Sequence, residues 1–345
     1  MAPPAPARLP MIPLLLSESN LEAYLRQGTR LPSGPVIITP LSGGVSARVF
    51  RVESASGICV VKQACEQLRV KDEWFSDPAR AEREFLFLEL FYPWLPEGCL
   101  TRPLWLDRDN HILAMEAAAP PAAPWKQDLL AGSADPALAR KAGALLGLLH
   151  LAGWKHRQQL LPLADKSFFQ QLRLEPFHER LITRRPELRP RLAPLIAWSM
   201  ESLETLCHGD FSPKNLLQSP AGLTLVDHET AHLGDGAMDV GFFLCHLFLK
   251  SIRAENERAV FQKLVRIFLA EYESQIVSTD LLGPQFRSRA LDHFAVTVLT
   301  RVEGTSPVDY LDDRQKEIAC DKALEVLGKR LNSWDFLDHP VAAKR

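Results

Sequence analysis

The stretch "AAAPPAAPW", residues 117–125, divides this chain more sharply than any other feature. Proline fixes φ and offers no backbone donor, so a sheet ladder or a helix stops at such a segment. Before it, from Val36, the runs "VIITPL", "ARVFRVES" and "GICVVKQA" are β-branched and separated by turn residues, with "SASG" reading as a hairpin turn. "DPARAEREFLFLELFYPWL" then shows apolar residues at three-to-four spacing. Asp77 suits the cap, Pro78 the first helical position, and Pro93 ends the pattern. Two further strand-like pieces, "LTRPLWLD" and "HILAMEAA", follow across the turn "RDN". After the Pro/Ala segment, "PALARKAGALLGLLHLAGW", "ENERAVFQKLVRIFLAEYESQI" and "DDRQKEIACDKALEVLGKRL" carry helical stripes.

The expectation is an α+β, bilobal fold. A five-strand antiparallel sheet with one inserted helix is joined by a short hinge to a larger, mainly helical lobe. The expected divisions are a flexible tail over 1–16, an N-lobe over 17–118, a C-lobe over 119–335, and a C-terminal tail over 336–345. A helix is expected over about Glu18–Gln27, with Ser17 as its N-cap. Ligands often sit between two such lobes.

Composition removes several classes. The net charge is −2 and the 40 basic residues are spread along the chain, unlike the concentrated basic stripe of a nucleic-acid binder. No apolar run approaches the roughly 18 residues that span a membrane. "MIPLLL" near the N-terminus is broken by Pro13 and lacks a basic leader, so it does not read as a signal peptide. Six cysteines without a C-x-x-C pair read as reduced, buried thiols. The expectation is a cytoplasmic protein, monomer or homodimer, without a nucleic-acid or membrane partner.

The chemistry concentrates in "HGDFSPKN", residues 208–215, and "LTLVDHE", residues 223–229. Asp210 and Asn215 are five positions apart, and Asp227 lies seventeen beyond Asp210, after a short hairpin. Phosphoryl transfer from ATP needs a carboxylate beside the acceptor hydroxyl, hard oxygen ligands for Mg²⁺ and a cation on the α/β-phosphates. The order H-x-D-x-x-x-x-N followed by a later Asp presents base and metal ligands from two adjacent loops. Lys62, inside the apolar strand "VVKQA", supplies the cation, and Glu84 or Glu82 in "RAEREF" a partner for it. Upstream, Gly43 and Gly44 with Ser46 in "LSGGVSARVF" let backbone approach phosphate closely. His228 and His232 lack zinc-type spacing and read as satisfied turn residues. His208 reads as a scaffold for the loop.

These motifs resemble the aminoglycoside phosphotransferase and choline-kinase-like superfamily of small-molecule kinases, and within it methylthioribose-kinase-like phosphotransferases. "GGVSARVFRV", "VVKQACEQLRV", "ARAEREF", "LAMEAA", "HGDFSPKN" and "VDHETAHLGDGAMDVGFF" carry the resemblance, from about Ser42 to Phe243. It implies a protein-kinase-like fold and transfer of a phosphoryl group from ATP, with Mg²⁺, to a hydroxyl of a small molecule. Residue by residue, it implies Asp210 as catalytic base, and Asn215 and Asp227 as Mg²⁺ ligands with Glu229 completing a D-x-E pattern. It implies Lys62 and its partner Glu84 on the phosphates, and Met115, Glu116 and Ala118 in the hinge that pairs with adenine. Asp235 and Asp239 match a segment that anchors the catalytic loop. The resemblance departs at "LTRVEGTSPVDYL", where Arg301 precedes Val302 in place of a sugar-clamping arginine pair, and at Asn215 itself. The acceptor is therefore not read from it, although Arg301, Glu303 and Asp309 are candidates to line its site. A catalytically silent nucleotide-binding scaffold is the alternative, and it would lack one of these groups.

Overall fold

The computed structural model describes residues 14–41, 44–68, 74–254, 257–304, 307–329 and 331–335. Helix α1 (Glu18–Gln27) precedes the strands β1 (Ile37–Leu41), β2 (Ala47–Ser54) and β3 (Gly57–Ala64), then α2 (Arg80–Phe91), β4 (Pro103–Asp107) and β5 (Ile112–Glu116). The five strands form one antiparallel sheet in the order β1-β2-β3-β5-β4. Its central strand, β3, is covered on both faces. Val61 packs with Leu16, Leu21, Leu25, Phe50 and Ala114 on the α1 side. Its neighbour Lys62, opposite Val49 and Leu113, points the other way. That alternation is what delivers one cation into the α2 side of the sheet.

Two boundaries differ from the sequence expectation. Leu16 is fully buried, and its backbone N–H donates to Gln63 Oε1 at 2.8 Å, so the chain docks on β3 before residue 17. The rest of the expected tails, 1–13 and 336–345, lies outside the described residues. Helix α2 starts at Arg80 rather than Pro78, because Asp77 Oδ1 accepts the Ala79 N–H (2.8 Å) and closes a turn ahead of the helix.

Beyond the hinge come β6 (Ala123–Pro124), α3 (Trp125–Leu130) and α4 (Pro136–Lys155), the last capped by the Asp135 side chain on Ala137 N–H. α5 (Ser167–Phe169) runs into a π-helical stretch, Gln170–Glu179, and α6 (Arg180–Arg184) and α7 (Arg189–Glu201) follow. β7 (Thr205–Cys207), β8 (Leu216–Ser219), β9 (Gly222–Leu225) and β10 (His232–Gly234) frame the loops at 208–215 and 226–231. Helices α8 (Ala237–Arg253), α9 (Arg258–Ile276), α10 (Phe286–Glu303) and α11 (Asp313–Lys329) complete the lobe. α4 packs on α9 so closely that a Cβ at Gly143 would lie 2.4 Å from the Phe268 carbonyl oxygen. α8 is buried along nearly its whole length and carries Asp239 near its start. All six cysteines are free thiols. Among the described residues no helix is long and apolar enough to cross a membrane.

Candidate active site

The loop 208–215 leaves β7 and returns through β8. It is held from below by one carboxylate. Asp239, fully buried, accepts the His208 N–H on Oδ2 (2.6 Å) and the Gly209 N–H on Oδ1 (2.8 Å), and His150 Nε2 lies 3.2 Å from its Oδ2. Gly209 has φ +77°, and a Cβ there would sit 2.8 Å from Thr230 Oγ1, so the turn admits only glycine. His208 Nδ1 accepts the Asp210 N–H (3.2 Å), which leaves the proton on Nε2 to reach His228 Nδ1 (3.0 Å). Burial pushes both imidazoles down, so the pair is neutral. His208 and Asp239 thus serve as loop scaffold, as the sequence pattern indicates.

Asp210 is the carboxylate this scaffold presents. Arg173 Nη2 lies 3.0 Å from its Oδ2, Asn215 Nδ2 donates to the same oxygen at 2.9 Å, and Lys214 Nζ is 3.5 Å away. Burial would raise the Asp210 carboxyl, but the Arg173 and Lys214 charges outweigh it and hold the group ionised, below its usual range. Asn215 spends its amide nitrogen on Asp210, leaving its carbonyl oxygen as the hard donor.

Asp227, at the end of β9's extension, sits at φ +70°, a left-handed conformation that a non-glycine residue adopts at a cost. It meets Lys62 there: Nζ to Oδ1 is 2.5 Å. The same ammonium is 2.7 Å from Glu84 Oε2 and 4.0 Å from Glu229 Oε2. Burial alone would pull Lys62 down, but Asp227, Glu84 and Glu229 together hold it protonated. For Glu84 burial dominates and raises the carboxyl despite Lys62. For Asp227, Lys62 and Lys214 overcome burial and keep it well below the usual carboxylate range. Of the two glutamates left open by the sequence, Glu84 faces Lys62, whereas Glu82 pairs with Arg108 outside.

Glu229, expected beside the metal ligands, has its Oε2 engaged by Arg80 Nε at 3.0 Å. Arg80 is fully buried and also donates to the carbonyls of Ser46, Cys65, Ser76 and Asp77. Ser46 therefore contributes its backbone oxygen to this clamp. Gly44 stands at the start of the turn into β2, and Gly43 lies outside the described residues. In the hinge, Met115 pairs with Val60 across the sheet, and the Glu116 and Ala117 N–H groups donate to the Arg102 and Ile58 carbonyls. Glu116's side chain pairs with Arg102 at the surface. Ala118 is the first hinge residue beyond these sheet bonds. Glu303, a candidate for the acceptor region, turns instead to Arg185 (2.7 Å).

Arg80 and Arg173 escaped sequence reasoning. Arg80 stands inside "ARAEREF" with no role assigned there, Arg173 stands in none of the quoted motifs, and both meet acidic partners far along the chain, Glu229 and Asp210. Lys214 was visible inside "HGDFSPKN" but had no assigned role; its ammonium lies 3.5 Å from Asp210 and 3.7 Å from Asp227.

The five-strand sheet, the inserted α2 and the helical lobe enclosing this constellation define a protein-kinase-like fold. The chain belongs to the APH phosphotransferase enzyme family, whose model matches residues 37–274. It is similar to methylthioribose kinase 1 of Oryza sativa subsp. japonica, at 23% identity over 296 residues, covering 72% of this chain and 67% of that protein. A methylthioribose kinase of Bacillus pumilus (strain SAFR-032) is 34% identical over 71 residues, only 21% of this chain and 18% of that enzyme. Among solved structures, an amicoumacin kinase in complex with AMP-PNP, Ca²⁺ and its ligand superposes with a TM-score of 0.58 at 13% identity, covering 92% of this chain and 97% of that one. Choline kinase from Cryptosporidium parvum Iowa II gives 0.54 at 12% identity, covering 94% and 100%. These structural likenesses speak for the fold.

Proposed function

We propose that the protein transfers the γ-phosphoryl group of ATP, with Mg²⁺, to a hydroxyl of a small molecule. One observation carries this reading: the ion-paired Lys62, Glu84 and Asp227 meet beside an Asp210 kept ionised by Arg173 and Lys214. A strand, a helix and two loops converge there on groups that phosphoryl transfer uses.

The residues fit the cofactors. Among the described residues no group of three or more His, Cys, Asp or Glu side chains forms a metal cage. Mg²⁺ does not need one, since it is commonly held by one or two carboxylates together with substrate phosphates and water. Asn215 and Asp227 offer hard oxygens, and the Lys214 ammonium between Asp210 and Asp227 marks where positive charge is welcome. When bound, Mg²⁺ would neutralise charge on the phosphoryl oxygens. Glu229 supports this site from Arg80 rather than as an evident direct ligand.

In this reading Lys62, steered by Glu84, holds the α/β-phosphates. The turn from Gly44 to Ser46 covers them, and the hinge from Met115 and Glu116 to Ala118 offers backbone groups to the adenine. Asp210 accepts a hydrogen bond from the acceptor hydroxyl, orients it and takes its proton. Arg173 and Asn215 fix the carboxylate's direction. Positioning and charge complementarity supply most of the acceleration.

The test is Asp210→Asn, assayed as ATP consumption with a panel of hydroxyl acceptors. The expected loss in kcat is about 10²–10⁴-fold, with nucleotide binding intact. Near-full turnover would remove Asp210 from its role.

A further inference from the structure

Gln171 stands two residues before Arg173, in the π-helical stretch of the helical lobe, and the two side chains serve opposite lobes. The Gln171 Oε1 accepts the Ser76 Oγ–H (3.0 Å) and the Asp77 N–H (3.1 Å), and its backbone carbonyl accepts the Trp74 indole N–H (3.1 Å). Three hydrogen bonds from the segment that leads into α2 therefore end on one residue across the cleft. Arg173 Nε donates to the Gly209 carbonyl oxygen (2.5 Å), and its Nη2 lies 3.0 Å from Asp210 Oδ2. Residues two apart on a helix do not face each other. One turn can thus hold the N-lobe with Gln171 and the catalytic loop with Arg173.

The segment Trp74–Asp77 is fixed to the nucleotide side of the cleft by two routes. The Leu68 N–H donates to the Trp74 carbonyl and the Ser76 N–H to the Glu66 carbonyl (2.9 Å each), so the segment folds back along the continuation of β3, the strand of Lys62. Arg80 Nη1 donates to the Ser76 and Asp77 carbonyls (3.0 Å each) from the first turn of α2, the helix of Glu84. The Lys62–Glu84 pair and Asp210 are joined through the short span from Gln171 to Arg173.

Tethering of the lobes does not need Gln171. Arg83, also on α2, crosses to the helical lobe, where its Nη1 donates to the carbonyls of Leu163 (3.1 Å), Asp165 (2.8 Å) and Ala231 (3.3 Å). These partners lie outside both the stretch 170–179 and the loop 208–215. What Gln171 adds is register between α2 and the arginine that aims the base.

We propose that Gln171 is a positioning residue for phosphoryl transfer: by holding Trp74, Ser76 and Asp77 it sets Arg173, and through Arg173 the direction of Asp210, relative to the Lys62–Glu84 pair. This rests on the phosphotransferase reading and adds the part that keeps its two sides aligned. Misplacing a reacting group by about 1 Å costs up to about 10²-fold in rate, so a link of this kind is read most clearly in kcat.

The experiment has two arms. Gln171→Met keeps the side-chain length and removes the Oε1 acceptor. It should lower kcat by about 10–100-fold and leave the KM for ATP nearly in place. Ser76→Ala removes one donor from the facing lobe and should act in the same direction with a smaller loss. A double-mutant cycle with Arg173→Lys separates this role from local packing. Because Gln171 acts through Arg173, Gln171→Met should cost much less kcat in the Arg173→Lys protein than in the wild type. Additive losses, or a kcat for Gln171→Met within about twofold of wild type, overturn the proposal. Should Gln171→Met fail to fold, the same cycle is run with Ser76→Ala.

The second arm, amide hydrogen exchange followed by mass spectrometry, needs no turnover. In Gln171→Met, or in Ser76→Ala in its place, peptides covering 208–215 should exchange faster than in the wild type, while α9 and α11 keep their rates. Faster exchange confined to 74–77 and 170–179, with 208–215 unchanged, overturns the link. Failure of the wild type to turn over any acceptor counts instead against the phosphotransferase reading, and the exchange arm still decides whether Gln171 sets the loop of Asp210.

Discussion

Replacing Arg80 by methionine tests what holds the nucleotide side of the cleft together. All of Arg80's donor groups are spent inside the protein. Nε reaches Glu229 (3.0 Å), Nη1 the Ser76 and Asp77 carbonyls (3.0 Å each), and Nη2 the Ser46 and Cys65 carbonyls (2.6 Å each). Methionine keeps much of the stem volume and removes every donor. Each buried acceptor left bare costs about 1–3 kcal/mol, but the five are not additive, since neighbouring segments relax. Breaking one buried ion pair costs about 3–5 kcal/mol, and about 4 kcal/mol is the expected loss here. That is a large part of the roughly 5–15 kcal/mol that holds a domain folded. At about 2 °C per kcal/mol for a chain of this size, the melting temperature should fall by roughly 8 °C. Arg80→Lys, a point charge without the planar fork, should fall between the two. Freed Glu229 would then compete for Lys62, 4.0 Å away, so the KM for ATP should rise more than kcat falls. Thermal melting with and without a magnesium–nucleotide analogue reads both effects. A melting temperature within about 1 °C of wild type would refute the claim that this arginine clamps the four segments.

Lys62→Met should lower kcat/KM for ATP by about 10²–10³-fold while the protein stays folded, because Glu84, already raised by burial, takes up a proton; steady-state kinetics with a circular-dichroism control checks this. Lys250 makes stability depend on pH: its amine, held near 7 in the fold, returns to its ordinary value on unfolding, so between pH 7 and 9 the unfolded chain holds the extra proton and stability rises with pH. The gain from this one group is about 2–3 kcal/mol over that range, and the wild-type and Lys250→Met stability curves should diverge there; parallel curves would contradict it. Lys214→Ala should reduce the Mg²⁺ concentration for half-maximal rate a few-fold, because the ammonium between Asp210 and Asp227 no longer opposes the ion, while kcat also falls; a magnesium titration at saturating ATP decides.

What could be read from the residues alone followed from period and spacing. Alternation in β3 separated Val61 from Lys62, and the helical phase of α2 held a further signal. Ala81, Glu84, Phe87, Leu88 and Phe91 form its buried stripe, and Glu84 rides that stripe while Glu82 does not. The choice between the two glutamates was therefore open in the motif but encoded in the apolar pattern. The Pro/Ala segment marked the passage between sheet and helices, and "HGDFSPKN" its loop. Arg173 was hidden because its segment is π-helical and carries Pro176, so no 3.6-residue stripe announces it. Arg80 was hidden because its partners come from four separate places, which sequence spacing does not record. Lys250 closes an apolar run, "FFLCHLFLK", whose pattern does not announce its burial; in the fold it is 2% exposed, with the Tyr310 ring 5.7 Å from its Nζ.

The charges of the cleft divide into two accounts that need different partners. In the catalytic core, Glu84, Asp210, Asp227 and Glu229 face Lys62, Arg80, Arg173 and Lys214, four acids against four bases, and Arg301 adds its charge to those that hold Asp210 ionised. Lys126 and Lys250 lie outside that balance, Lys126 with the exposed Asp309 as its counter-charge. A magnesium–nucleotide complex is an anion as well, so this surplus must be assigned to it or to the acceptor. Position favours the acceptor: Lys250 belongs to α8 of the helical lobe, while Lys62, proposed to hold the phosphates, comes from the sheet. The two assignments separate in kinetics. If the surplus serves the acceptor, Lys250→Met raises the KM for a charged acceptor and leaves the KM for ATP in place; a rise confined to ATP would move the surplus to the nucleotide.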